Sequence, residues 1–320
     1  MASEPRQALR ILFLGTADFA VPVLRTLATG PDELIGVVTP PDRPAGRGRK
    51  LRSPPVKEAA QELGLPFRQP EMVSSEDGMA LVRELSPDLL FVVAFGEILS
   101  SDVLAIPRLG AVNLHASLLP RYRGAAPIQR AIMAGEPTTG VTLQWMTAEM
   151  DAGDIVLMRE TEIGEEEDFG HLHDRLAALG AEVAREGVAL IREGRAPRIA
   201  QDESAATFAP PIRPEERALD WTRDATALSR QVRALSPIPG ARTRRKGEVL
   251  KVLAARPGKY EAGRGGIPGE IMELRSEGFL VATGQGRLLV LRVQPAGRTA
   301  MSATDYLKGY PLETGQRLGD

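Results

Sequence analysis

The chain has 320 residues, 43% of them hydrophobic and 26% charged, enough for one large domain or two ordinary ones with a sizeable core. It contains no cysteine, so disulfide frameworks, thiolate nucleophiles and cysteine-ligated zinc or iron–sulfur sites are excluded. Net charge is only −2, yet residues 211–320 carry 19 Lys and Arg against 12 Asp and Glu, a balance of +7, leaving −9 on the remainder. Such asymmetry fits a basic module that meets a polyanion, attached to a body with another task; uneven sampling of two ordinary surfaces is the alternative.

The first ten residues are short of apolar character, and no run approaches the length of a membrane span, so a cytoplasmic protein without a membrane partner is expected. Residues 10–15 (RILFLG) read as a buried strand, followed by a helix over 19–28 and a second strand over 34–39. Pro54 opens a helix running to Leu63, proline being tolerated in a first turn. A helix over 77–85 leads into residues 88–94 (DLLFVVA), the most apolar strand. A short strand over 111–114 and a helix over 125–134 follow. Buried strands separated by helices imply βαβ units, hence an α/β fold with a doubly wound, mainly parallel sheet.

Two further strand-like runs, 141–147 and 154–161, precede a long amphipathic helix over 169–192. Residues 195–214 are rich in proline, acids and small residues with little periodicity, and read as a linker. Beyond them come one helix (224–234) and short β-like runs at 249–254, 269–273, 278–282 and 288–294, spaced by glycines as in a small barrel. The expected organisation is a catalytic domain over 1–194, the linker, and a smaller basic β-barrel-like domain over 215–320.

Three histidines invite scrutiny. His171 and His173 stand two apart on the long helix and share no face. His115 ends a strand with Asn113 two positions before it, so the pleat turns both side chains to one side. At the carboxyl end of an open α/β sheet, where ligands bind, a carboxamide and an imidazole can together hold one carbonyl oxygen as it becomes an oxyanion. An Asn–His pair tying down the next loop is the competing reading. The proline-, glycine- and arginine-bearing stretch 116–127 forms a candidate binding wall. The acidic turn 149–154 offers Asp151, a carboxylate able to hold an imidazole in one tautomer. No G-x-G-x-x-G, P-loop or G-x-S-x-G motif competes, and no cluster offers a convincing metal ligand set.

Residues 40–53 (PPDRPAGRGRKLRS) set Arg43, Arg47, Arg49, Lys50 and Arg52 against Asp42 alone. Such a loop either neutralises phosphates and orders itself on nucleic acid or is a solvated basic connector.

The run NLHASLLPRYRGAAPIQ (113–129) together with MDAGDI (150–155) resembles the signature regions of the methionyl-tRNA formyltransferase family. The likeness extends to FLGTADFA (13–20), PDRPAGRGRK (41–50) and VQPAG (293–297), and so covers nearly the whole chain. The N-x-H and D-x-G elements are shared with other 10-formyltetrahydrofolate enzymes, so they specify chemistry rather than acceptor. The resemblance implies 10-formyltetrahydrofolate as co-substrate without a metal, initiator Met-tRNA as acceptor, and a monomer. It implies that Asn113 and His115 bind the formyl oxygen, that Asp151 orients His115 and helps remove the amine proton, and that Ser117, Leu118, Leu119 and Pro120 line the folate site. It places Arg47 near the acceptor stem, with Arg43, Arg49 and Lys50 beside it on the RNA. Pro40 stands where glutamine is common, and Phe95 where tyrosine is common, which removes a hydroxyl near the folate. Purine-pathway and sugar-nucleotide formyltransferases share the two signatures without needing the basic loop. A formyltetrahydrofolate dehydrogenase would be longer and carry a cysteine. A non-catalytic RNA-binding protein would not need Asn113, His115 and Asp151 together.

Overall fold

A computed structural model describes residues 8–45, 50–258 and 266–319. In chain order its strands are β1 (Arg10–Gly15), β2 (Glu33–Val38), β3 (Arg43–Ala45), β4 (Lys50–Arg52), β5 (Phe67–Arg68), β6 (Leu89–Val93), β7 (Ala111–His115), β8 (Thr138–Trp145) and β9 (Ile155–Glu162). Later in the chain come β10 (Ala241–Arg245), β11 (Glu248–Pro257), β12 (Ile271–Arg275), β13 (Gly278–Ala282), β14 (Arg287–Pro295) and β15 (Met301–Ser302), which form a sheet of their own. The helices are α1 (Val21–Ala28), α2 (Pro55–Glu62), α3 (Glu76–Leu85), α4 (Ser101–Leu104), α5 (Pro127–Ala134), α6 (Phe169–Arg192), α7 (Ala225–Leu235) and α8 (Ala303–Gly309).

Two compact units divide the chain, and neither is contiguous: the first takes residues 1–124, 139–161 and 173–209, the second 125–138, 162–172 and 210–320. The first is built on a seven-stranded sheet of order β5-β2-β1-β6-β7-β8-β9. Its strands run parallel from β5 to β7, and β8 lies antiparallel to β7. All five residues of β6 and five of the six in β1 are buried, as an apolar run sandwiched between helix layers must be. Phe13 pairs with Phe91 across β1 and β6, their rings stacked 6.2 Å apart. On one face Leu12, Leu14, Leu90 and Val92 pack with Val82 of α3 and Val103 of α4. Ser75 caps α3 by accepting the Gly78 N–H, and Gly78 has no room for a side chain because a Cβ would lie 2.3 Å from the Met72 carbonyl. The chain leaves β1 first for β2 on one side and later for β6 on the other, which makes a switch point at the carboxyl edge between β1 and β6. There the Thr16 hydroxyl donates to the Phe95 carbonyl at 2.6 Å and ties the two turns together.

The second unit carries the antiparallel order β10-β11-β14-β13-β12, with β15 added beside β14. Ala241 of β10 and Ile271 of β12, on opposite edges, enter one core with Val252, Phe279, Val281, Leu288 and Val290. Edge strands that share a core make the sheet barrel-like rather than flat. Leu228, Val232 and Leu235 of α7 cover it. Asp224 caps α7 by accepting the Ala227 N–H, one residue earlier than the apolar pattern starts.

The expected strands and helices are present with small shifts at their ends, and among the described residues seven elements are additional: β3, β4, β10, α4, α8 and the two-residue strands β5 and β15. β10 escapes notice because ARTRR reads as charge rather than as a strand. The pair β3 and β4 lies in the basic loop, and α4 and α8 are too short for periodicity to show. Residues 195–209 do more than connect: Ile199 pairs with Ile155, and Phe208 with Arg123, inside the first unit. Among the described residues no helix is long and apolar enough to cross a membrane.

Candidate active site

The last residues of β7 place Asn113 and His115 on one side of the sheet's carboxyl edge, with His115 only 7% exposed. Asp151 arrives from the turn between β8 and β9, its side chain 12% exposed and its backbone left-handed at φ +53°, a conformation aspartate tolerates better than most residues. The turn is closed by a Trp145 N–H bond to the Asp154 carbonyl at 2.8 Å.

The sequence left open whether these segments meet, and here they do. Asp151 Oδ1 accepts from Asn113 Nδ2 at 3.2 Å and from Gln144 Nε2 at 2.9 Å. Its Oδ2 accepts the Gly124 N–H at 2.9 Å and lies 3.5 Å from His115 Nδ1. His115 Nε2 is 2.9 Å from the Tyr122 carbonyl, which can only accept, so this nitrogen is the donor. Both ring nitrogens thus face oxygen, a setting that fixes the ring plane.

Three more side chains complete the cluster: Gln144 and Gln201, which the sequence did not single out, and Arg123, which it placed only in the 116–127 wall. Gln144 is the register partner of Asn113 across β7 and β8, and is buried. A lone glutamine in the apolar run VTLQW was the available signal. Gln201 donates to the carbonyls of Asp151 at 2.9 Å and Gly153 at 2.7 Å, and reaches the Gln144 side-chain oxygen at 3.2 Å. Arg123 in turn donates to Gln201 Oε1 from two nitrogens and grips Glu203 through a two-pronged pair at 2.7 and 2.9 Å. The Glu203 hydrogen bonds push the Arg123 guanidinium above its usual range, and those same bonds hold the Glu203 carboxyl below its own. Nothing in the composition of 195–214 marks Gln201 as part of a site.

Of the expected folate wall, Ser117 and Leu119 are buried, while Leu118 and Pro120 are partly exposed. The Ser117 hydroxyl donates to the Arg121 carbonyl at 2.6 Å, and Thr142 bridges the loop by donating to the Ser117 carbonyl and accepting the Leu119 N–H. The Leu119–Pro120 bond is cis. What Ser117 and Leu119 can offer a ligand is therefore backbone.

In the basic segment the two arms are already paired: Arg43 sits opposite Arg52 in a short antiparallel ladder that also includes Lys50. Arg43 is exposed, and Arg47 and Arg49 lie outside the described residues. Asp42 anchors the root, accepting from Lys57 at 2.7 and 2.8 Å, from Gln69 at 2.9 Å and from Ser53 at 3.3 Å. The Lys57 bond is the main reason that the Asp42 carboxyl stays below the usual carboxylate range. His171 is exposed against Asp168, and His173 packs edge-on to Phe19. Among the described residues no group of three His, Asp or Glu is placed to hold a metal ion.

A carboxamide, an imidazole and a carboxylate converging on a strand end suit acyl transfer to a nucleophile. In keeping with that chemistry, residues 9–188 match the family described as formyl transferase, and residues 211–311 match the formyl transferase C-terminal domain. The matches define an enzyme of one-carbon formyl transfer, a class that uses 10-formyltetrahydrofolate. The chain is 50% identical to the methionyl-tRNA formyltransferase of Moorella thermoacetica over 311 residues, 97% of this chain and 99% of that one. It is 45% identical to the enzyme of the same name from Geobacter sulfurreducens over 98% of this chain and 97% of that one. The chain belongs to the methionyl-tRNA formyltransferase family. Among solved structures, HypX from Aquifex aeolicus in complex with tetrahydrofolic acid superposes with a TM-score of 0.62 at 20% identity. That match covers 98% of this chain but 51% of HypX, so the chain spans about half of that protein and shares its fold.

Proposed function

We propose that the chain transfers the formyl group of 10-formyltetrahydrofolate to the α-amine of methionine carried by initiator tRNA, for translation initiation in the cytoplasm. The observation that carries this reading is the convergence of Asn113 and His115 on the Asp151 carboxylate. The amine lone pair attacks the formyl carbon, and the carbonyl electrons move onto oxygen. Asn113 meets that oxyanion with its amide N–H, and His115 meets it with Nε2, exchanging the Tyr122 carbonyl for the substrate oxygen. Asp151 orients His115 and takes up the proton the amine sheds. The carbon–N10 bond then breaks, N10 gains a proton, and tetrahydrofolate leaves. Leu118 and Pro120, with the backbone of Ser117 and Leu119, line the folate side.

In this reading residues 1–194 hold the chemistry, and 195–214 support it through Gln201 and lead on to the basic residues 215–320. That last stretch binds the tRNA of a monomeric enzyme together with Arg43, Arg47, Arg49 and Lys50. The support for tRNA over a small acceptor is the full-length likeness to relatives of that name and the exposed Arg43 on its anchored hairpin. One good oxyanion donor is typically worth about 3 kcal/mol, so Asn113→Ala loses at least about a hundredfold in kcat with the fold intact. A formylation assay on Met-tRNA tests both halves. Normal turnover by the variant removes Asn113 from the mechanism, and transfer only to a purine-pathway or sugar-nucleotide amine removes the tRNA.

A further inference from the structure

We infer that Phe208 is a stacking platform for the nucleobase at the 3′ end of the acceptor strand, next to the ester that carries the reacting amine. This rests on the tRNA reading above. Phe208 is 72% exposed although both of its neighbours are tied down. Thr207 accepts the Tyr122 N–H on its hydroxyl at 2.9 Å and the Arg123 N–H on its carbonyl at 2.9 Å. Ala209 is buried and donates its N–H to the Arg123 carbonyl at 2.7 Å. Between these two anchored positions the Phe208 side chain faces solvent.

The strand it pairs with is the site loop itself. The Tyr122 carbonyl holds His115, and the Gly124 N–H holds Asp151. Paired backbones lie about 4.8 Å apart, so the backbone of Phe208 runs one strand's width from residues that touch the catalytic carboxylate. Gly124 permits this approach: at φ +119° a side chain there is strained, and a Cβ would lie 2.9 Å from the Ala209 carbonyl. Single exposed apolar residues are common and by themselves mean little. This one is held by backbone pairing on both sides, and the exposed Arg121 lies on the loop that it pairs with, its guanidinium 5.4 Å from the Tyr122 ring. An aromatic face beside a cation is how single-stranded nucleic acid ends are gripped, the ring taking a base and the cation its phosphate. The acceptor end of a charged tRNA is such a strand, and its last base is a few bonds from the amine.

The test uses full-length enzyme and Met-tRNA whose 3′-terminal adenosine is replaced by 2-aminopurine, a base whose fluorescence is quenched on stacking. Wild-type enzyme quenches the probe. Phe208→Ala abolishes the quench and raises KM for Met-tRNA about ten- to a hundredfold, while KM for the folate and the affinity for the tRNA body stay unchanged. Phe208→Trp restores both. An equal quench in Phe208→Ala overturns the proposal, as does a KM effect that follows the amino acid rather than the base. Failure of wild-type enzyme to bind tRNA at low salt overturns the tRNA reading itself, which is a separate result.

Discussion

Gln144 donates its side-chain amide to the Asp151 carboxylate at 2.9 Å, on the same oxygen that Asn113 reaches at 3.2 Å. Because Gln144 is opposite Asn113 in the strand register, one rung of the sheet sets the spacing of both donors. Gln144→Leu removes one of them without altering volume much. A lost hydrogen bond to a charged group is worth about 1.5–3 kcal/mol, and kcat should fall roughly ten- to a hundredfold with KM for the folate within a factor of a few. Gln144→Glu should be worse, since it sets a second carboxylate against Asp151. Steady-state kinetics that find the Leu variant equal to wild type in kcat would separate Gln144 from the catalytic centre.

Gly153 is confined in the turn that delivers Asp151. A Cβ there would lie 1.7 Å from the Trp145 carbonyl, which is backbone and cannot step aside. Gly153→Ala therefore displaces the 149–154 turn, destabilising the protein by about 1–3 kcal/mol as overpacking does and uncoupling Asp151 from His115. Thermal unfolding and kcat should fall together. A variant with wild-type melting and turnover would mean that the turn has slack the distance denies.

The parallel sheet was legible because burial on both faces writes itself as unbroken apolar runs, and LLFVV and ILFLG admit little else. Asn113 and His115 were legible as a pair because they share one strand and its period of two. Asp151 was legible as a carboxylate but joined to that pair only by the family resemblance, since nothing local says that a turn 38 positions later folds back onto β7. Gln201 was hidden for the same reason, compounded by composition. A stretch dense in proline and small residues looks like a connector, yet its backbone finds partners in Ile155 and Arg123, and its side chains finish the site. Non-local pairing of aperiodic chain leaves no trace in periodicity.

Within the second unit Glu216 accepts from Arg130 at 2.6 and 3.1 Å and from the Arg213 N–H at 2.9 Å. The Arg130 bonds foremost pull its carboxyl from 4.5 down to about 2. A depressed acid stabilises the fold above its unfolded value, and that contribution is lost as pH falls from about 4.5 toward 2. The upper bound is about 3 kcal/mol, reduced to about 1–2 kcal/mol because the pair is partly exposed to solvent. Denaturant unfolding at pH 7 and pH 3 checks this. Glu216→Gln should be weaker than wild type at pH 7 and lose less on acidification. Parallel pH curves for the two proteins would assign the acid sensitivity elsewhere.

Asp42 joins the two arms of the basic hairpin to the body, through Lys57 and Gln69 on one side and Ser53 on the other. Asp42→Asn has two opposite consequences for RNA binding. Removing a negative charge among five cations should, by charge alone, tighten the grip on phosphates. Loosening the root should spread the hairpin over many orientations and weaken it through lost preorganisation. The bonds of Asp42 reach three separate segments, so the second effect should win. The variant should bind tRNA several-fold less tightly, with a shallower fall of log affinity against log salt, while the KM for the folate is unchanged. Tighter tRNA binding in the Asn variant, measured across a salt series, would show that Asp42 tempers the charge of the hairpin rather than holding it in place.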